Sequence, residues 1–207
     1  MTTAQRFWDG AADKYAASPV KDVPAYEKTL ERVRAYLKPT DRVLELGCGT
    51  GTTALKLANA SGRITATDIS ARMIEIARKK ALDQGVDNVD FRQGTPGDGT
   101  LGGETYDVVT AFNFLHLLPD LPAALTEIRD RVEPGGLFIS KSVCLQGPWR
   151  AMWLAIIVMR LFGKAPYVNF LSTRRLESEI RKAGFEIIET GDYPKSPPSH
   201  FVVARRV

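Results

Sequence analysis

The chain has 207 residues, a length that suits one domain with some decoration rather than two. Apolar residues make up 44% and charged residues 25%, which excludes disordered, collagen-like and fibrous classes. The net charge of +4 is uneven, because residues 1–128 carry 15 Lys and Arg against 17 Asp and Glu, whereas residues 129–207 carry 13 against 7.

Taken in chain order, Tyr26, Leu30, Val33 and Leu37 recur at three- and four-residue steps, so the spacing predicts an amphipathic helix over Ala25 to Leu37. Pro24 suits its first turn, and Pro39 ends it. Apolar runs then alternate with helical patterns. DRVLELG, GRITATD, NVDFRQG, YDVVTAF and GGLFISKS read as strands, separated by the helical TTALKLANA, ARMIEIARKKAL and LPAALTEIRDRV. Such alternation predicts a parallel sheet with helices on both faces. A further helix near Arg174 to Ala183 stops at Gly184, and FEIIET and HFVVARRV follow as two strands joined by a Pro-rich turn.

Val43 to Gly51, VLELGCGTG, carries the strongest chemical signal: a strand running into a glycine-rich turn and then a helix. Glycines let the backbone bend tightly and approach a ligand, while a helix start presents unpaired N–H groups to it. Asp68 ends the next strand, near the roughly 20-residue offset at which an acid meets ribose hydroxyls in such folds. A dinucleotide fingerprint would place its third glycine at position 52, where Thr52 stands. Glu45 sets a carboxylate where a pyrophosphate would lie, so a cofactor bearing an ammonium or sulfonium suits the turn better than NAD.

These residues resemble the class I S-adenosylmethionine-dependent methyltransferases, whose first motif looks like E-x-G-x-G-x-G, and the likeness covers most of the chain. It implies an α/β, Rossmann-like, seven-stranded and mostly parallel sheet closed by a C-terminal antiparallel hairpin. Gly47, Cys48, Gly49 and Gly51 would surround the methionine part of S-adenosyl-L-methionine, Glu45 would lie near its amino group, and Asp68 would hold the ribose. Ile69 and Met73 would flank the adenine, with Gly94 and Thr95 beyond the third strand. The family often places an acid against the adenine amine after that strand, and here Asp98 comes three residues after Thr95. The turn Pro134-Gly135-Gly136 before the fifth strand is a further landmark of the likeness. The expected division is a single domain, 1–207, with an N-terminal helical lid (1–40), a cofactor-binding core (41–143), an acceptor-pocket insertion (144–172) and a C-terminal helix and hairpin (173–207).

Ligands of open α/β sheets bind beyond the carboxyl ends of the strands, so Asn113-Phe114-Leu115-His116 faces the reaction. The Pro-Pro-aromatic that follows Asn or Asp in enzymes methylating base amino groups is absent, which points away from nucleic acid. Asn113, His116 as a general base, and Tyr15 as an aromatic closing over the cofactor are the candidate catalytic residues. Tyr15 and Asn113 would also touch the cofactor. Packing roles are the alternative for His116 and Tyr15. Methyl transfer is an in-line displacement in which alignment and exclusion of water can suffice, so a dedicated base is optional.

Between Glu133 and Glu177 there is no acid, yet Lys141, Arg150, Arg160, Lys164, Arg174 and Arg175 fall there. Ala151 to Met159 are nine consecutive apolar residues, short of the roughly 20 that span a bilayer. Bordered by Trp149, Arg150, Arg160 and Lys164, they have the composition of an interfacial element, a pocket wall or a core helix. The expected activity is methyl transfer to N, O or S of a small-molecule or lipid-like acceptor, with peripheral contact to an anionic membrane. Phospholipid amine N-methylation is the specific lipid case, and a non-catalytic S-adenosylmethionine-binding module or a nucleotide-dependent oxidoreductase the rival classes. Cys48 and Cys144 are too few for a disulfide framework or a zinc finger, and the first residues lack a secretory pattern, so a cytoplasmic protein without bound metal is expected.

Overall fold

The computed structural model describes residues 1–146, 151–161 and 165–207. Two helices, α1 (Thr3–Ala17) and α2 (Val23–Arg34), precede β1 (Arg42–Leu46), α3 (Thr52–Leu57), β2 (Arg63–Asp68), α4 (Ala71–Gln84) and β3 (Val89–Gln93). There follow β4 (Tyr106–Phe112), α5 (Leu121–Arg131), β5 (Val132–Val143), α6 (Ala151–Leu161), α7 (Thr173–Lys182), β6 (Phe185–Lys195) and β7 (Pro198–Arg206). The strands form one seven-stranded sheet in the order β3-β2-β1-β4-β5-β7-β6. Strands β1 to β5 pair in parallel, and β7 lies antiparallel between β5 and β6, as the resemblance implies.

Successive residues of a strand face opposite sides, so each central strand serves two cores. Val43, Val108, Ile139 and Val203 pack with Leu30 and Val33 of α2, Leu57 of α3 and Ile74 and Ala77 of α4. Their neighbours Leu44, Val109, Phe138 and Val202 pack on the other face with Leu121, Leu125 and Ile128 of α5 and Leu176 and Ile180 of α7. The helices therefore cover both faces, and their starts are capped: Ser70 accepts from the Met73 N–H at 3.1 Å and Asp120 from the Ala123 N–H at 3.0 Å.

Three boundaries differ from the sequence reading for local reasons. Helix α2 ends at Arg34, because the Leu37 N–H turns back to the Arg34 carbonyl before Pro39. The Pro134-Gly135-Gly136 turn lies inside β5, whose pairing with β4 skips from Tyr106/Val132 to Val108/Leu137. Strand β6 continues through GDYPK, because His200 on β7 binds Asp192 on β6 through Nδ1 at 2.8 Å while its Nε2 meets Glu177 of α7 at 3.0 Å. The hairpin turn is thus shorter than expected.

After β3 the chain returns to the other side of β1 to form β4. The crevice at the carboxyl ends of β1 and β4 is where such sheets bind ligands.

Candidate active site

A cavity of about 450 Å³ opens at those carboxyl ends. Gly47, Gly49, Asp68, Ile69, Met73, Gly94, Thr95, Asn113 and Tyr15 line it, all of them named from the sequence. Beyond β1 the loop carries positive φ at Gly47 (67°), Gly49 (54°) and Gly51 (74°). A Cβ on Gly47 would stand 2.4 Å from the Phe114 ring, so only glycine lets the loop pass that side chain. Gly51 lies outside the cavity lining and serves packing, since its Cβ position is 2.7 Å from Phe91 and 2.8 Å from Ala77. Cys48 is buried below the loop, where its N–H donates to the Thr67 carbonyl at 2.9 Å and ties the loop to β2. Burial pushes the Cys48 thiol well up, which makes it a poor nucleophile.

Asp68 organises this wall. One carboxylate oxygen accepts from the Gly49 N–H and the other from the Ser70 N–H, both at 2.9 Å. Each oxygen keeps a lone pair for a ligand hydroxyl. Burial nevertheless raises the Asp68 pKa, the two hydrogen bonds opposing it. Glu45 is 3% exposed and stands outside the cavity lining, and burial followed by the charge of Asp68 pushes its carboxyl up to about 8. Two carboxyl groups that repel when both ionised are stabilised by a cation between or above them. A ligand with an ammonium or sulfonium supplies one.

That shift has a pH signature. Unfolded, Glu45 releases its proton near 4.5, whereas folded it holds the proton to about 8. The folded state binds more protons throughout that window, so stability of the ligand-free protein falls as pH rises from about 4.5 to 8 and levels off above it. Glu45→Gln is expected to flatten this slope and to stabilise the ligand-free protein at pH 8 by on the order of 4 kcal/mol, while weakening cofactor binding. Thermal denaturation across pH, with a parallel calorimetric titration, measures both.

Ala4, Trp8 and Tyr15 line the cavity from one face of α1, as their spacing of four and seven residues dictates. The helix is held over the site by Asp9, which accepts from the Ser70 hydroxyl at 2.6 Å, and by Asp13, which pairs with Arg72 at 2.8 Å. Tyr15 is 51% exposed, yet burial of its hydroxyl end and the charges of Asp68 and Glu45 raise its pKa. The ring also lies 3.5 Å from the Cβ position of Gly49.

Asn113 holds φ at +53°, and its N–H donates to the Lys141 carbonyl at 2.7 Å. A non-glycine residue in this region is strained and is typical of functional sites. His116 lies on a short 3-10 turn, Leu115–Leu117, outside the cavity lining. Burial lowers its pKa to about 4, and its Nδ1 has no hydrogen-bond partner among the described residues. Asp98 also stays out of the lining, because its oxygens accept from the Thr95 N–H at 2.5 Å and the Thr100 N–H at 2.9 Å and so close their own loop.

Phe114, read from the sequence as facing the reaction, lines the same cavity, whereas sequence reasoning missed Trp8, Leu117, Leu118 and Glu127. Trp8 stands edge-on to Tyr15 with ring centres 6.4 Å apart, and Glu127 reaches the cavity from the surface of α5, where no pattern marks it.

The residues fit the cofactor that the resemblance implies. The cavity offers the apolar side chains of Ile69, Met73 and Leu118 for a base and the Asp68 carboxylate with free lone pairs for a ribose. Glu45, outside the lining, adds a buried acid just before the glycine loop that would favour a cationic tail. Among the described residues, no group of His, Cys, Asp and Glu could hold a metal ion.

Residues 20–190 match the model of a methyltransferase domain family. The ubiquinone biosynthesis O-methyltransferase of Xanthomonas axonopodis pv. citri (strain 306) is 31% identical over 198 residues, covering 89% of this chain and 77% of that protein. The magnesium-protoporphyrin O-methyltransferase of Rhodobacter capsulatus is 28% identical over 195 residues, covering 90% and 84%. Among solved structures, magnesium protoporphyrin IX methyltransferase from Synechocystis PCC 6803 with bound SAH superposes with a TM-score of 0.76 at 19% identity, covering 98% of both chains.

Proposed function

The chain belongs to this methyltransferase domain family and is an S-adenosylmethionine-dependent methyltransferase; on that premise we propose that it methylates an oxygen of an apolar, lipid-like small molecule. Support for oxygen comes from relatives named ubiquinone biosynthesis O-methyltransferase and magnesium-protoporphyrin O-methyltransferase. The single observation behind an apolar acceptor is α6, a helix made of AMWLAIIVMRL and placed between β5 and α7, on which Val158 and Met159 are each 45% exposed. An apolar helix left in contact with solvent is suited to meet a hydrophobic ligand or surface.

Bound S-adenosylmethionine supplies an activated methyl group on a sulfonium. The protein's part is to hold and to exclude water. The Asp68 carboxylate and the Gly47 and Gly49 backbone form one wall, Asn113 and Phe112 form the wall nearest the acceptor side, and α1 lays Trp8 and Tyr15 across the top. We assign Tyr15 and Asn113 to contacts with the cofactor. A proton-accepting role for His116 would need its side chain, now outside the lining, to turn into the cavity that Leu117 of the same turn borders. Incubation with radiolabelled S-adenosylmethionine and fractionated cell extract tests the reading: label is expected in an organic-extractable small molecule. Label confined to protein or nucleic acid would refute it.

We further assign α6 to peripheral contact with anionic membrane. No helix among the described residues is long and apolar enough to cross a membrane. Exposed Ala155, Val158 and Met159 adjoin Arg160, whose guanidinium lies 5.0 Å from the centre of the Tyr167 ring. Trp149, Arg150 and Lys164, named from the sequence as the rest of this element's border, lie outside the described residues. Cations near such a surface contribute about 1 kcal/mol each. Sedimentation is therefore expected to be stronger with anionic than with neutral vesicles and to weaken as salt is raised, and equal sedimentation with both would contradict the assignment.

A further inference from the structure

Lys141 is a buried cation that nothing above uses. It lies on β5, 8% exposed, and its Nζ donates to the Thr29 Oγ1 at 2.9 Å. The Thr29 hydroxyl gives its own proton to the Ala25 carbonyl at 2.7 Å, so its oxygen is free to accept. No carboxylate lies within ion-pair distance of Nζ among the described residues, and the nearest acid acting on it is Asp22 at the start of α2. Burial accordingly lowers the Lys141 pKa. A buried ammonium with one neutral partner is costly. Apolar packing alone would be met as well by a methionine.

Its place in the sheet says what the charge can serve. Lys141 is the cross-strand partner of Phe112, and its carbonyl accepts from Asn113; both of those residues line the cavity. By alternation along β5 it shares the face of Ile139, the face on which α2 packs. The Lys141 backbone thus stands about one strand spacing, roughly 4.8 Å, from that of Phe112, on the side away from Asp68 and the glycine loop. Its side chain, on the face it shares with Phe112, runs to Thr29 of α2 outside the cavity lining. With Asp68 and the glycines assigned to the cofactor, the ends of β4 and β5 are left for the acceptor.

We propose that Lys141 determines acceptor specificity by pairing with an ionised oxygen, a carboxylate or phenolate, on the molecule to be methylated. The proposal rests on the oxygen-methylation reading above. The acceptor oxygen forms a bond to the methyl carbon as the carbon–sulfur bond breaks, and the electron pair of that bond stays on sulfur. The anionic acceptor ends as a neutral ester or ether beside a neutral thioether. No proton is released, so no base is needed, in keeping with a cavity lined by no histidine.

The test uses 3,4-dihydroxybenzoate and its uncharged match 3,4-dihydroxybenzamide, each titrated at millimolar concentration into the protein saturated with S-adenosylhomocysteine. The wild type is expected to bind the acid at least about 10-fold more tightly than the amide, as a charge-assisted contact implies. Lys141→Met and Lys141→Gln are expected to bind the two alike with S-adenosylhomocysteine affinity unchanged, and Lys141→Arg to keep part of the preference. Equal binding of acid and amide by the wild type, or a preference that survives Lys141→Gln, would overturn the proposal. If Lys141→Met and Lys141→Gln fail to fold, the wild-type comparison and the charge-keeping Lys141→Arg decide it. A methyl group found on nitrogen in the natural product, with the acid preference intact, would instead defeat the oxygen reading and leave the Lys141 contact standing.

Discussion

Asp68→Ala is expected to weaken binding of S-adenosylmethionine and S-adenosylhomocysteine by about 10- to 100-fold, or roughly 1.5–3 kcal/mol, without unfolding the protein. Two effects add. The ribose loses a charged acceptor, and the Gly49 and Ser70 N–H groups, each held at 2.9 Å, lose the carboxylate that fixes the loop and the start of α4. Removing the charge also relieves Glu45, whose pKa it helps to raise, so the variant should show a smaller loss of stability between pH 4.5 and 8. Calorimetric titration with S-adenosylhomocysteine measures the first effect. Unchanged affinity in a folded variant would remove Asp68 from the cofactor site.

Gly51→Ala should lower stability by about 2–5 kcal/mol. Holding alanine in the left-handed region costs about 1–2 kcal/mol, and overpacking adds about 1–3. The added Cβ has nowhere to go, because Phe91 at 2.7 Å and Ala77 at 2.8 Å both belong to the core. For a chain of this size the loss corresponds to a Tm lower by about 5–20 °C. Gly85→Ala is the control. Gly85 has φ +64° but meets nothing within 4 Å, so it should lose only the backbone cost of about 1–2 kcal/mol. A Gly51 variant no worse than the Gly85 variant would show that α3, α4 and β3 can part to admit a methyl group.

Where local pattern decided structure, the sequence was legible. The strand and helix alternation reads directly from apolar periodicity, and the glycine turn with Glu45 and Asp68 locates the cofactor side of the cavity because tight turns and strand-end acids need particular residue types. Tertiary effects were not legible. Trp8 and Leu118 reach the cavity only because α1 is tied to Ser70 and Arg72, and because the chain after β4 folds back as a 3-10 turn. Asp98 comes three residues after Thr95, off the place where the family sets an acid against adenine, and it closes its own loop, while Glu127 lines the cavity from a helix whose other exposed residues look the same. His116 stands at the right place in the chain, but burial sets its pKa near 4 and its side chain stays out of the cavity lining to which Leu117 of the same turn belongs. Lys141 reads as one more basic residue of the acid-free stretch, and only burial on the α2 face sets it apart.

Transfer from S-adenosylmethionine carrying a carbon-13 methyl group, followed by NMR of the organic-extractable product made from cell extract, shows directly which atom is methylated. A single new methoxyl or methyl ester carbon, dependent on the protein and reduced by Asp68→Ala at limiting cofactor, is the result expected of an oxygen methyltransferase acting on an apolar small molecule. A methyl carbon on nitrogen or sulfur, or cofactor retained by the folded protein with no labelled product from any fraction, would contradict it.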